Sequence, residues 1–255
     1  MMTGEREKEL LSGAAMLLDA RRTNTPIDDL PEALRPTTVD EAYYVQSRLA
    51  LVYGEIGGWK VGAPTADATP LFAPMPAAWI APSNAVLGGR HRFHGLEAEI
   101  AFLFGKDLPP REKAYSRDEV VAAIASCHPA IEVIESGLAD PIKATRLSMI
   151  GDLQMHGAFV YGAAVPHWQT IDFSKEHVTL AVDGVVRVER TGSNTSGDLM
   201  RLLPWLANEG VARTGGLKAG QWVTTGSWTG VERGIAGSRV DVAFSTAGGV
   251  HLRFE

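Results

Sequence analysis

One cysteine, Cys127, in 255 residues excludes an intramolecular disulfide and fits a reducing compartment. No apolar run approaches the roughly 20 residues of a membrane span. The opening residues, Met1 to Glu9, mix charges of both signs, so no secretory signal is expected and the expected setting is the cytoplasm. Positive charge is in deficit: 24 Lys and Arg stand against 30 Asp and Glu, a net charge of -6, which argues against nucleic acid and anionic membranes as partners. Internal repeats and low-complexity tracts are also missing. What remains is a globular composition, 45% hydrophobic and 21% charged, with enough chain for a sizeable buried core.

Within that ordinary composition, one stretch is unusual: His94 to Phe104. Read as a strand, it points Leu96, Ala98, Ile100, Phe102 and Phe104 one way and Glu97, Glu99, Ala101 and Leu103 the other. Both faces are largely apolar, which predicts a strand covered on both sides and puts two carboxylates where solvent is scarce. Two like charges about 4 Å apart repel by roughly 4 kcal/mol at an effective dielectric near 20. A hard divalent cation bound through carboxylate oxygens removes that repulsion. A Glu-x-Glu strand with one edge in water is the plain alternative.

The rest of the chain reads as helices first and strands after. Leu10, Leu11, Ala14, Leu17 and Leu18 recur at helical spacing and predict a helix over about residues 4–22, ending in Arg21 and Arg22. Thr38 with Glu41 forms a capping-box pattern ahead of a second stripe, Val39, Ala42, Val45, Leu49 and Val52, which Gly57 and Gly58 are expected to stop. Trp59 to Val61 predicts a short strand with Lys60 on the opposite face from its neighbours. Residues 63–90 read as loops with brief strands near Trp79 and Ala85. Ser116 and Glu119 predict a capped helix to about Ser126, ended by His128 and Pro129. Ala130 to Ile134 then follows as a strand, apolar except for Glu132. Residues 140–156 read as irregular. Asp183-Gly184 predicts a tight hairpin, Pro204 a kinked or shortened helix, and the C-terminus closing strands. The expectation is an α+β chain, with an N-terminal helical segment over 1–62 and a β-rich catalytic body over 63–255.

Four blocks stand in order: Gly58-Trp59-Lys60-Val61-Gly62, Glu97-Ala98-Glu99-Ile100-Ala101-Phe102, Pro129 to Ser136, and Val223 to Gly230. With them the chain resembles the fumarylacetoacetate hydrolase superfamily, and within it the 2-keto-4-pentenoate hydratase and 4-oxalocrotonate decarboxylase branch, over nearly its whole length. The resemblance implies a mixed β-rich roll with helices around it and a Mg²⁺ or Mn²⁺ ion held by Glu97, Glu99 and Glu132. Three such ligands leave three octahedral positions, two of which a 2-oxo acid fills with its carboxylate and 2-oxygen, so that the ion acts as a Lewis acid. Lys60 is implied as proton shuttle or substrate-oxygen contact, and Thr225 and Ser227 as substrate-binding groups closing the pocket. A homo-oligomer, at least a dimer, is implied as well.

Two segments depart from that family's pattern. Where hydratases of the branch carry a Pro-Asp-Phe-Gly-like block, this chain reads Pro70-Leu71-Phe72-Ala73-Pro74-Met75-Pro76, without an acid. A second block is represented only by Gly151 to Gly157, in which Asp152 is retained and His156 replaces a small residue. Asp152 and His156 are therefore candidate proton carriers, and a packing histidine is the alternative for the latter. His91 and His94 are possible competing ligands, although histidine suits softer ions. Trp59, Trp79, Trp222 and Trp228 are candidates for an apolar pocket or for the core. The leading expectation is hydration of a 2-hydroxy-2,4-dienoate to a 4-hydroxy-2-oxo acid. The alternatives are C–C hydrolysis of an acylpyruvate-like diketo acid, decarboxylation of a 2-oxo dioate, and a catalytically silent binding protein on the same scaffold.

Overall fold

The computed structural model describes residues 3–255. Helix α1, Gly4–Thr23, starts where the Thr3 hydroxyl accepts from the Arg6 amide and stops at Asn24, which takes the left-handed conformation at φ 55°. Its buried stripe is Leu10, Gly13, Ala14, Leu17 and Ala20, so Leu11 lies off it. Helix α2, Val39–Val52, is capped by the Thr38 hydroxyl. The Glu41 carboxylate completes the entry by accepting from the Thr37 amide and from Arg6 of α1. The helix ends at Tyr53, ahead of Gly57 and Gly58, which instead lie inside the first strand. At Gly58 a Cβ would meet the Trp222 carbonyl at 2.5 Å, so the second glycine serves strand approach rather than helix termination.

Strands β1 (Ile56–Gly62), β2 (Leu71–Pro76), β3 (Ile80–Pro82), β4 (Ala85–Leu87) and β5 (Gly95–Phe104) follow. After helix α3 (Arg117–Val121) come strand β6 (Ile124–Ile134), helix α4 (Arg146–Gly151) and strand β7 (His156–Tyr161). The C-terminal part holds β8 (His177–Val182), β9 (Val185–Thr191), α5 (Leu202–Trp205), β10 (Trp222–Thr224), β11 (Glu232–Arg233), β12 (Arg239–Phe244) and β13 (Gly248–Phe254). They form two sheets. The larger runs β2-β1-β10-β5-β6-β7-β3, with β11 added to β5; the smaller runs β4-β13-β12-β8-β9. Leu96, Ala98, Ile100 and Phe102 of β5 share one buried cluster with Val178, Leu180, Val240, Val242 and Leu252 of the smaller sheet. The opposite face of β5 carries Glu97 and Glu99. A second cluster joins Leu10, Leu17, Val45 and Leu49 of the two helices to Trp79, Leu138 and Leu153. The fold is α+β, as the sequence predicts. A cut after residue 62 would separate β1 from β2 and β10, with which it pairs residue by residue.

Two strands differ from expectation for reasons that concern proline. β2 contains Pro74 and Pro76 and escapes periodicity, yet it lies at the sheet edge, where a missing N–H is tolerated. β6 begins at Ile124, so the predicted helix to Ser126 is only α3, and His128 and Pro129 lie within the strand. The Pro129 carbonyl accepts from Gly162 just past the end of β7, where the absent N–H breaks no ladder bond.

Candidate active site and metal centre

Antiparallel pairing of β5 with β6 sets Glu97 directly opposite Glu132 and Glu99 opposite Ala130. Side chains of directly opposed residues share a face. One carboxylate oxygen from each of Glu97, Glu99 and Glu132 lies within 4.8 Å of the other two. Glu132 is fully buried and Glu99 nearly so. Parallel pairing of β1 with β10 aligns Lys60 with Thr224, beside the same face. The Lys60 ammonium donates to Glu132 Oε1 at 2.6 Å and to the Gln154 carbonyl at 3.1 Å. Glu99 Oε2 accepts from the Thr224 hydroxyl and from the Gly226 amide at 3.0 Å. Gly226 has φ 86°, a conformation suited to glycine, and it turns that amide inward.

His156, at the start of β7, is wholly buried and places Nδ1 2.9 Å from Glu132 Oε1. Because the carboxylate only accepts, Nδ1 carries the proton and Nε2 keeps a lone pair, which has no protein partner. The ring stacks on Trp79 at 5.8 Å, and Arg90 covers Trp79 at 4.5 Å.

The donor set fits a hard divalent cation. Glu132 Oε1 is taken by Lys60 and His156, while Oε2 is buried and has no hydrogen-bond partner, in a residue whose carboxylate lies close to those of Glu97 and Glu99. Protonation answers the repulsion otherwise. Burial first, and the Glu132 charge second, push Glu97 up to about 7. Burial, Glu132 and Glu97 raise Glu99 well above the carboxylate range. Burial opposes the charge of Glu132 too, but Lys60 and His156 overcome it and hold the group low, at about 2. For Lys60, burial works against the ammonium, and Glu132, Glu97 and Glu99 together raise its pKa all the same. Burial keeps His156 neutral, lowering its pKa against the pull of Glu132.

Lys60, Glu97, Glu99, Glu132 and His156 are thus brought together. Asp152 stands apart, with both oxygens occupied: Oδ1 receives Arg21 Nε at 2.5 Å, and Oδ2 receives the Ser136 hydroxyl and the Gly137 amide. The Thr225 hydroxyl donates to the Ile100 carbonyl at 2.7 Å, on the far side of β10 from Thr224. The hydroxyl that reaches Glu99 belongs to Thr224, which the sequence reading did not single out, and strand alternation against Lys60 is the signal that finds it. Ser227 accepts from the Gly230 amide and also reaches Glu97. Gln154 has no sequence signature at all, since it acts through its backbone. His91 and His94 pack against Phe254, and burial drives His91 down to about 3; among the described residues neither joins the carboxylates. The four tryptophans are buried. A cavity of about 840 Å³ lies elsewhere, between α2 and residues 213–221, and is lined by Tyr43, Trp59, Phe72 and Arg213.

The family model for the fumarylacetoacetate (FAA) hydrolase C-terminal domain matches residues 52–253. The chain belongs to that family. The 2-keto-4-pentenoate hydratase 2 of Dechloromonas aromatica (strain RCB) is 27% identical over 95% of this chain and 96% of its own. The 2-hydroxyhexa-2,4-dienoate hydratase of Comamonas testosteroni is 27% identical over 62% of this chain and 59% of its own. Among solved structures, 4-oxalocrotonate decarboxylase from Pseudomonas putida G7 with magnesium and adipate covers the whole of both chains with a TM-score of 0.85 at 23% identity. Fumarylpyruvate hydrolase from Pseudomonas aeruginosa with Mn²⁺ and pyruvate covers 77% of this chain and 88% of its own, with a TM-score of 0.55 at 16% identity. The two solved structures carry the likeness of fold. With its hydratase relatives, family membership makes this chain an enzyme of the fumarylacetoacetate hydrolase family.

Proposed function

We propose that the chain is a divalent-metal-dependent hydratase that adds water across the distal double bond of a 2-hydroxy-2,4-dienoate and yields a 4-hydroxy-2-oxo acid. The observation that carries this is the convergence of Glu97, Glu99 and Glu132 beside the Lys60 ammonium. Full-length similarity to a 2-keto-4-pentenoate hydratase supports it. Held by those carboxylates, Mg²⁺ or Mn²⁺ supplies Lewis acidity toward the carboxylate and 2-oxygen of an oxo acid.

The chain's own groups then have distinct tasks. Lys60 has three N–H donors, two of which are held by Glu132 and Gln154, and the third is available to the substrate 2-oxygen. The enol proton leaves that oxygen and a proton is placed at C5, which moves the double bond into conjugation with the 2-oxo group. Water adds its oxygen to C4, and C3 takes up a proton, so the net change is one water. Lys60 delivers a proton to C5 and takes up the enol proton, so that it ends as the ammonium it began, while His156 Nε2, neutral and unpaired, accepts the proton from the attacking water and passes it to C3. Thr224 and Gly226 hold Glu99 in its ligating orientation, and Ser227 does the same for Glu97. Asp152 is given a positioning task, since both its oxygens are taken. Thr225 ties β10 to β5 through the Ile100 carbonyl.

Purified protein supplied with Mg²⁺ is expected to bleach the dienoate absorbance and form the 4-hydroxy-2-oxo acid, identified by mass spectrometry. A second reading, C–C hydrolysis of an acylpyruvate-like diketo acid, is favoured by the same unpaired His156 nitrogen as activator of water. Two carboxylic acids in place of one hydroxy acid would establish it. Carbon dioxide release from a 2-oxo dioate would instead establish decarboxylation.

A further inference from the structure

Three consecutive residues without a glycine, Leu153, Gln154 and Met155, take left-handed backbone conformations at φ 55°, 48° and 64°. Each such residue costs roughly 1–2 kcal/mol in an L-amino-acid chain, so the turn persists only where surrounding groups hold it. It lies between Asp152 and His156, and its middle carbonyl accepts from Lys60.

What holds it comes from the other end of the sequence. Arg21, in the last turn of α1, is buried to 4% side-chain exposure and spends its guanidinium on this one segment and its neighbour. Nε donates to Asp152 Oδ1 at 2.5 Å, Nη1 to the His156 carbonyl at 3.0 Å, and Nη2 to the Asp152 and Glu135 carbonyls at 2.9 Å each. The turn is therefore gripped at both ends, at the residue before it and the residue after it. Asp152 Oδ2 extends the grip to Ser136 and Gly137, just past the end of the strand that carries Glu132. Close approach of α1 depends on a glycine there: a Cβ on Gly137 would lie 2.8 Å from the Leu17 carbonyl. Gln154 adds a bond from its side-chain amide to the Phe72 carbonyl at 2.6 Å.

We propose that Arg21 is a positioning residue of the active site, clamping the left-handed turn so that the Gln154 carbonyl meets Lys60 and His156 meets Glu132. A rigid planar fork with donors in three directions performs this; a lysine, with one nitrogen on a flexible stem, does not span the same acceptors. The N-terminal helix is thereby part of the catalytic apparatus, although no α1 side chain belongs to the carboxylate cluster. Only the kinetic readout of this inference rests on the hydratase reading.

The test compares Arg21→Lys and Arg21→Ala with Arg22→Ala, whose side chain is 73% exposed on the same turn. Metal-stripped protein is titrated with Mn²⁺ by calorimetry, and amide hydrogen exchange is followed over residues 153–157. Both Arg21 variants are expected to weaken Mn²⁺ binding about 10–100-fold and to speed exchange in that segment about tenfold or more. Arg22→Ala is expected to match wild type in both. With a dienoate, kcat falls for the Arg21 variants by more than KM rises, and added methylguanidinium restores part of it to Arg21→Ala alone. Should Arg21→Ala fail to fold, Asp152→Asn replaces it, since its single acceptor oxygen cannot serve Arg21 on one side and Ser136 and Gly137 on the other as the two carboxylate oxygens do. Unchanged Mn²⁺ affinity and unchanged exchange in folded variants overturn the clamp. A wild-type protein that binds Mn²⁺ but hydrates no dienoate overturns the hydratase reading and leaves the clamp to be judged on Mn²⁺ affinity and exchange.

Discussion

Lys60 and Glu132 are each the other's answer to burial: a fully buried carboxylate and an ammonium with 14% of its side chain exposed, 2.6 Å apart. Breaking a buried pair of this kind costs about 3–5 kcal/mol, because the remaining charge has nowhere to go. Lys60→Met is accordingly expected to lower the stability of the metal-stripped protein by about 3 kcal/mol and its turnover by about 10²–10⁴-fold. Urea titration and steady-state kinetics check the two halves. Thr224→Val removes one of two bonds to Glu99 Oε2 while keeping the shape, and is expected to weaken Mg²⁺ binding about tenfold. Calorimetry measures that directly. At this scale the sequence was generous with acids and mute about backbone. Glu97, Glu99 and Glu132 stand out as charges on apolar strands, whereas Lys60 is marked only by the resemblance of the Gly58-to-Gly62 block. The Gln154 carbonyl and the Gly226 amide carry no side-chain signature, and Asp152 keeps a family position while its oxygens go to Arg21, Ser136 and Gly137.

Elements with a strong local code were legible. The Asp183-Gly184 turn has φ of 53° and 77°, as a two-residue hairpin requires, and it joins β8 to β9 where the sequence places it. Gly184→Val forces a branched residue into that conformation, and a cost of about 1–2 kcal/mol is expected. The melting temperature should drop by about 2–4 °C per kcal/mol for a chain of this size, with Mn²⁺ affinity unchanged, since the hairpin is remote from the carboxylates. Elements decided by tertiary pairing were not legible. β2 hides behind two prolines because an edge strand needs fewer donors, and the first residues of β6 read as helix because the capping box at Ser116 is genuine but serves only the short α3. The segment around Pro204 passes from a 3-10 turn through α5 to a π-turn over Leu206–Gly210, a change of pitch that the apolar spacing conceals.

At the scale of the whole molecule, the two sheets bury the core between them and leave the carboxylates, in buried surroundings, on the other face of the larger one, where the left-handed turn meets Lys60 and the α1–α2 layer packs on Trp79, Leu138 and Leu153. Its charge state follows from that enclosure. Glu97 is raised to about 7, so the stability it contributes is full below its unfolded value near 4.5 and is lost as pH rises through about 7. His91 and His156, both lowered, act in the opposite sense and lose their contribution as pH falls below about 6.5. Between pH 6.5 and 8 the metal-stripped protein is therefore expected to melt at progressively lower temperature, and saturating Mg²⁺ to flatten that slope. No helix among the described residues is long and apolar enough to cross a membrane. Everything proposed for this chain requires Glu97, Glu99 and Glu132 to form one site for one divalent ion. Calorimetric titration of metal-stripped wild type and Glu99→Gln with Mn²⁺, in two buffers of different protonation enthalpy, tests it most directly. One ion per wild-type chain is expected, with protons released on binding, and no binding by the variant. Equal binding by the two proteins, or wild-type binding without proton release, would contradict it.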